Sequence, residues 1–190
     1  MKERGMIFNG EMVRAILDGG KTQTRRPVKV PHIDRDAMCE LSGNELAGEL
    51  SAGNYRNSPH GKPGDRIWVR ETWARYNIDQ DSHDMAYRAT PPADWPEEGR
   101  WRPSIHMPRW ASRITLEITG VRVERLQAIT LGDICKEIGC GLYDFRPATY
   151  GFQVWENLWK SIYGEDGWQS NPWVWVIEFK VVPNVQDNPA

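Results

Sequence analysis

The most informative segment of the chain runs from Gly19 to Arg26 and reads Gly-Gly-Lys-Thr-Gln-Thr-Arg-Arg. Apolar residues at helical spacing between positions 12 and 17 precede it and predict a helix that Asn9 caps. The two glycines end this helix, because glycine adopts the left-handed conformation of a helix C-terminus without strain. Lys21 and Thr24 therefore follow a helix end directly, where a turn can bring both side chains to one place.

The remaining secondary structure is predicted from local patterns. Apolar or alternating runs predict strands at 6–8, 66–70, 113–126 and 173–182, and helical spacing predicts helices at 130–138 and 151–163. Two polar stretches without periodicity, at about 31–63 and 77–108, are predicted to be long inserted loops. The order of the elements predicts an α+β fold, a mostly antiparallel β-barrel of five or six strands with flanking helices. A single domain is expected to cover 1–183, followed by a frayed tail at 184–190.

The composition is that of a globular protein and gives no sign of a general affinity for polyanions. The chain has 190 residues and a formal net charge of −2, so a contact with nucleic acid would use a local basic patch. Ten tryptophans supply large flat faces that serve a core or a base-stacking platform equally well. One local excess of cations lies near the start of the chain, at Arg14, Lys21, Arg25, Arg26 and Lys29.

Cysteine content and hydropathy predict a cytoplasmic protein without a metal, a cofactor or a membrane contact. The cysteines, Cys39, Cys135 and Cys140, have no CxxC spacing, which argues against a disulfide framework and a four-cysteine zinc site. Cys39 and His60 together would supply only two metal ligands. No segment has the roughly 18 apolar residues of a membrane helix. The N-terminus shows no apolar signal region.

Three blocks of the sequence together resemble the ASCH-domain family. The segment Gly19–Arg26 resembles the family signature, in which a helix ends in glycine before Lys-Thr-x-Thr-x-Arg. The segments 64–69 and 175–179 resemble the Gly-Asp turn with its following strand and the closing strand of the family. The longer runs 68–73 and 105–113 are similar to a phage and prophage branch. This resemblance implies a PUA-like barrel, a fold used to bind RNA or modified bases.

The resemblance also implies an activity and the residues that perform it. Some small ASCH proteins are metal-free amidohydrolases that remove the acetyl group from N4-acetylcytidine. Their lysine and threonine correspond to Lys21 and Thr24, and their glutamate corresponds to Glu137 in a later helix. In this chemistry Thr24 would be the nucleophile, Lys21 its base, and Glu137 would orient the lysine or protonate the leaving amine. The chain departs from the small enzymes in its two insertions and in Arg25, which replaces an apolar residue.

Further candidates for substrate binding lie near the signature and in the middle of the chain. They carry flat rings or charges that suit a base or a phosphate and comprise Arg25, Arg26, Trp68, Glu71, Trp73, His106 and Arg109. The expected partners are a nucleoside, a nucleotide or a single-stranded nucleic acid. Two alternatives to an enzyme remain open: a non-catalytic PUA-like module that binds RNA or modified DNA, and a phage accessory protein that acts through protein contacts. The sequence gives no indication of the oligomeric state.

Overall fold

The computed structural model describes residues 1–75, 84–96, 99–141 and 144–184. The strands, in chain order, are β1 (Glu3–Ile7), β2 (Gln23–Pro27), β3 (Arg66–Arg70), β4 (Trp73–Arg75), β5 (Met85–Tyr87), β6 (Thr115–Arg125) and β7 (Trp173–Val182). The α-helices are α1 (Gly10–Leu17), α2 (Gly43–Ser51), α3 (Leu131–Ile138) and α4 (Ala148–Gln169). Short 3₁₀ turns occupy Ser104–His106, Arg109–Ala111 and Leu126–Ala128.

The main sheet is open, so the prediction of a closed barrel is wrong, whereas the α+β class is confirmed. Its five strands lie in the order β1-β3-β6-β7-β2. β1 runs parallel to β3, and the other neighbours are antiparallel. No ladder joins the edge strands β1 and β2 within the described ranges. A side-chain hydrogen bond, from Arg26 Nη2 to the Ile7 carbonyl at 2.6 Å, links the two edge strands instead.

Two hydrophobic cores lie on the two faces of this sheet, because successive side chains of a strand point to opposite sides. In β7, Trp175, Ile177 and Phe179 pack into one core with residues of α1 and α2. Val174 and Val176 of the same strand pack into the other core with residues of α3 and α4. β7 therefore holds α1 on one face of the sheet and α3 with α4 on the other.

Side chains cap the N-termini of α1 and α3, and the cap of α1 is the predicted Asn9. Asn9 caps α1, since its Oδ1 accepts a hydrogen bond from the Met12 amide at 2.8 Å. Thr130 caps α3 in the same way, and its Oγ1 accepts from the Asp133 amide at 3.1 Å. The long strand predicted on both sides of Gly120 is β6, in which a register shift occurs at that glycine.

The first insertion is more regular than predicted. It contains α2, whose N-terminus is fixed by a reciprocal capping box between Ser42 and Glu45. The prediction of an irregular loop was wrong there, because short helices are specified by caps more than by apolar periodicity. In the second insertion, β5 pairs with β4 as a separate two-stranded sheet. Trp95 and Trp101 stack in it with ring centroids 4.1 Å apart, and residues 77–83 and 97–98 of the predicted loop lie outside the described residues.

The last helix is longer than the sequence predicts. α4 reaches Gln169 across a break at Gly164, where φ is 79° and ψ is 173°. No helix within the described ranges is long and apolar enough to span a membrane. At the predicted tail, Asn184 donates a hydrogen bond to the Ser112 carbonyl at 2.8 Å, and residues 185–190 lie outside the described part.

Candidate functional site

A tight glycine contact brings the signature to the end of α3. After α1, the amides of Gly20 and Lys21 both donate to the Ala15 carbonyl, at 3.0 and 2.9 Å. A Cβ atom on Gly20 would lie 2.6 Å from the Gly139 carbonyl oxygen, so only glycine allows this approach. Gly139 is the left-handed cap of α3, with φ of 85°. The signature therefore starts at the C-terminus of α3.

This approach brings Lys21 and Glu137 together, as predicted. Lys21 Nζ donates hydrogen bonds to the Glu137 backbone carbonyl at 2.5 Å and to its Oε2 at 3.2 Å. The two side chains are 0% and 3% exposed, so water screens their charges little. Burial lowers the pKa of the Lys21 ammonium below its ordinary value, an effect that the Glu137 carboxylate opposes and the cations Arg26 and Arg25 increase.

Arg25 is part of this charge cluster rather than an exposed ligand for substrate. Its Nη1 donates to Glu137 Oε1 at 2.9 Å, and its Nη2 donates to Glu124 Oε1 at 2.5 Å. The same Nη2 lies 3.6 Å from Asp133 Oδ2, and the guanidinium lies over the Trp155 ring. Glu137 therefore has one carboxylate oxygen on Lys21 and the other on Arg25, which fixes the orientation of its side chain.

Thr24 lies beside this cluster without bonding to it. It lines a cavity of about 20 Å³ together with Glu137 and with the aromatic wall of α4, formed by Trp155, Trp159 and Tyr163. No hydrogen bond joins Thr24 to Lys21 or Glu137 within the described residues. A cavity of this size holds about one water molecule. Two buried donors beside it, Trp155 Nε1 and Arg25 Nε, have no protein hydrogen-bond partner in the described ranges.

Arg26 lies at the rim of the same cavity, where the sequence predicts it. Its guanidinium bonds to the Ile7 carbonyl and lies 5.4 Å from the centre of the Phe8 ring. The network around Glu137 does not include it, because Arg25 and Arg26 point to opposite faces of β2. Arg26 is thus the signature cation that a ligand can approach.

The candidates from the middle of the chain belong to other parts of the molecule, and none of them lines the cavity beside Glu137. Glu71 is buried and accepts two hydrogen bonds from Arg113, at 2.9 and 3.0 Å. Trp73 is buried in a small core of its own. The remaining three stay near the surface: the half-buried Trp68 contacts Arg70, Arg109 bonds to Glu3 at 3.0 Å, and His106 is exposed.

The cysteines and acidic residues do not form a metal site in the described ranges. No group of three His, Cys, Asp or Glu side chains is arranged there to hold a metal ion. Cys39 is exposed, whereas Cys135 is buried in α3.

Sequence reasoning missed two groups of residues that shape the site. Glu124 and Asp133 bind Arg25, and they come from β6 and from the first turn of α3. The tryptophans of α4 pack into the core and also close the cavity, a second role that the predicted helix did not indicate. Alternating charges in β6 indicate an exposed strand face, but they carry no information about the residue that packs against it.

The chain has only distant similarity to known proteins, and it is found in the structure rather than in the sequence. Neither a protein-family model nor a curated protein matches the sequence. The structure is similar to the crystal structure of an Enterococcus faecalis V583 protein of family DUF984, with a TM-score of 0.46 and 10% identity over 100% of this chain and 86% of that chain. It is also similar to the crystal structure of a hypothetical protein, with a TM-score of 0.40 and 14% identity over 96% of this chain and 100% of that chain.

Proposed function

We propose that this protein is a metal-free amidohydrolase that acts on an acylated nucleobase, with N4-acylated cytidine as its substrate class. One observation carries the proposal: Lys21 Nζ lies 3.2 Å from Glu137 Oε2 in a buried site whose cavity Thr24 also lines. A lysine whose pKa is lowered by burial and a fixed carboxylate are groups suited to proton transfer in amide hydrolysis. The substrate class comes from the resemblance of the signature to ASCH proteins.

The reaction would proceed through an ester of Thr24. Neutral Lys21 accepts the hydroxyl proton as Thr24 Oγ1 bonds to the acyl carbon, and it returns this proton to the departing amine as the C–N bond breaks. A water molecule then attacks the ester carbon. Its proton passes through Lys21 to Thr24 Oγ1, and the carboxylic acid leaves. Glu137 holds the lysine in position through both transfers.

The size of the cavity sets a condition on this proposal and favours a second candidate. A space of about 20 Å³ does not admit a nucleobase, so the aromatic wall of α4 has to move before a substrate enters. If the wall stays closed, Lys21, Glu137 and Arg25 form a buried ion network with a structural role. The second candidate is therefore the module without catalysis that binds RNA or modified DNA.

The expected partner is a nucleoside, a nucleotide or a single-stranded nucleic acid rather than a membrane. We place the protein in the cytoplasm, where a reducing environment suits unpaired cysteines such as the exposed Cys39. The net charge of −2 argues against tight binding to long polyanions.

The test is product formation from N4-acetylcytidine and from cytidines with larger acyl groups. Lys21→Ala and Thr24→Ala should each lower the rate by about 10²- to 10⁴-fold. The double variant should be little worse, because residues that act as a unit are not additive. Lys62→Ala, an exposed lysine outside this cavity, is the control, and circular dichroism checks folding. A wild-type protein that is inert on every acyl nucleoside yet binds an oligonucleotide would support the second candidate.

A further inference from the structure

A second and much larger cavity is also lined by Arg26, on the face of the sheet that carries Trp175. Its volume is about 440 Å³, within the range of small-molecule sites. Arg26 pairs with Trp175 across the β2–β7 ladder, and Arg25 pairs with Val176. Directly paired residues share a face of the sheet, so the cavity at Arg26 and Trp175 is on the opposite side from the ion network of Arg25.

Flat rings form the walls of this cavity. His32 and His60 each lie with their ring centre 5.7 Å from that of Trp175, in edge-to-face geometry. Trp175 is 1% exposed, so the rings that a ligand meets are mainly the two imidazoles with Pro27 and Pro59, which also line the cavity. His32 is fixed by a contact of 3.1 Å between its Nε2 and the Asn57 carbonyl oxygen.

His60 is suited to stacking on a neutral ring. Burial lowers its pKa to about 4, and the neighbouring cations Arg26 and Arg4 act in the same direction. The imidazole is therefore uncharged near neutral pH and offers a flat aromatic face. Stacking of a nucleobase on such a ring is tolerant of base identity, because every base has a π-face.

The rim of the cavity carries positive charge only. Arg26 and Lys29 line it, and no acidic side chain does. Lys29 is exposed and forms no ion pair with another described residue. Arg26 uses one guanidinium nitrogen for the Ile7 carbonyl, and its guanidinium makes no other hydrogen bond within the described part of the chain, which leaves donors for an anion. The ion network beside Glu137, in contrast, is neutralised by its own carboxylates.

We propose that this cavity binds a nucleoside 5′-monophosphate, with the base against His32 and His60 and the phosphate on Lys29 and Arg26. Both histidines come from the first insertion, which assigns a role to that part of the chain. The site goes beyond the proposed hydrolytic function and does not depend on it, since Lys21, Thr24 and Glu137 do not line this cavity.

Calorimetric titration with each of the four common nucleoside 5′-monophosphates, with the matching nucleosides and with inorganic phosphate tests this site. We expect at least one monophosphate to bind with an affinity at least about tenfold higher than that of its nucleoside, because a hydrogen bond to a charged group contributes about that factor. Its affinity should exceed that of inorganic phosphate by a similar factor. Lys29→Ala should remove about tenfold of the monophosphate affinity and leave nucleoside binding unchanged. His60→Ala should weaken both ligands by about fivefold or more. Arg100→Ala, an exposed cation outside the cavity, should have no effect.

Ring signals of the four histidines provide a second measurement by NMR. A bound base should shift the signals of His32 and His60 and leave that of the exposed His106 in place. Lys21→Ala should retain monophosphate binding, so failure of the hydrolytic proposal and failure of this one give different results. If His60→Ala does not fold, the exposed Lys29 still decides the outcome. Equal affinity for nucleoside and monophosphate, or binding of single-stranded RNA without any mononucleotide, would overturn the proposal.

Discussion

Lys21 Nζ lies 2.5 Å from the backbone carbonyl of Glu137 and 3.2 Å from its carboxylate, although the two residues are 116 positions apart. The carbonyl belongs to the last turn of α3, whose free carbonyl groups carry partial negative charge. Lys21 is therefore held by the end of a helix as well as by a side chain. A substitution of Lys21 removes both contacts at once, so its effect on stability has to be measured beside its effect on activity.

Gly20→Ala should destabilise the protein and disturb the Lys21–Glu137 contact. The added methyl group would lie 2.6 Å from the Gly139 carbonyl, and overpacking of this kind costs about 1–3 kcal/mol of unfolding free energy. Gly48→Ala in α2 is the matched control. Nothing lies within 4 Å of its added methyl group, so it should stabilise the helix by about 0.5–1 kcal/mol. Urea unfolding gives the free energy of unfolding of each variant. Equal effects of the two substitutions would contradict the close approach of Gly20 to Gly139.

Stability should depend on the titration of Lys21. Burial lowers its pKa from the ordinary 10.5, so the unfolded chain holds this proton more tightly than the folded protein does. Above pH 10.5 the lysine is neutral in both the folded and the unfolded state, so burying it carries no cost for a buried charge. As the pH falls from 10.5 to the folded pKa, this cost grows, and below the folded pKa it is present in full. Relative to Lys21→Met, the wild-type free energy of unfolding should therefore rise with pH below 10.5, by at most about 1.4 kcal/mol per pH unit.

The measurement is a series of urea unfolding curves for both proteins at increasing pH. Other titrating groups contribute equally to the two proteins, so the difference between the curves isolates Lys21. A constant difference across this range would show that the folded pKa of Lys21 is not lowered.

The resemblance to ASCH proteins predicted the Lys21–Glu137 pair, but nothing in the sequence predicted the partners of Arg25. A glycine-terminated helix and a capped helix are local features, and each places its own residue. Glu124 reaches Arg25 because β6, β7 and β2 are neighbours in one sheet, and that order depends on contacts between distant parts of the chain. The contacts of His32 and His60 with Trp175 depend on the same long-range packing.

The barrel prediction failed for a related reason. Alternation in a strand specifies which side chains face the core, but it does not specify which two edges meet. Here β1 and β2 approach each other through the Arg26 side chain and the Ile7 carbonyl. The missed helix α2, in contrast, had a readable signal, since Ser42 and Glu45 have capping-box spacing.

Arg25→Met should cost far more stability than Arg122→Met. Arg25 is 0% exposed and pairs with Glu124 and Glu137, so its removal takes one of two cations from the buried Glu137 and from the partly buried Glu124, at about 3–5 kcal/mol. Arg122 pairs with Glu124 and Glu178 but is 37% exposed, and water replaces its charge at a cost of about 1 kcal/mol or less. The free energies of unfolding in urea provide the comparison. Similar losses for both variants would mean that the Arg25 network is open to water.

The final prediction concerns the aromatic wall of α4, which covers the cavity beside Glu137. Tyr163 lines this cavity and stacks obliquely on Trp159, with ring centres 4.4 Å apart. If substrates enter by displacing the wall, Tyr163→Ala should raise kcat/KM for acyl cytidines, and more for bulky acyl groups than for acetyl, because less apolar contact has to be broken. Tyr150→Ala removes the same side chain from a 52% exposed position on α4 that does not line the cavity, and it should leave kcat/KM unchanged. Steady-state kinetics across a series of acyl sizes makes the comparison. An equal response of the two variants, or a fall in activity for Tyr163→Ala with the fold intact, would show that the wall supports the site instead of gating it.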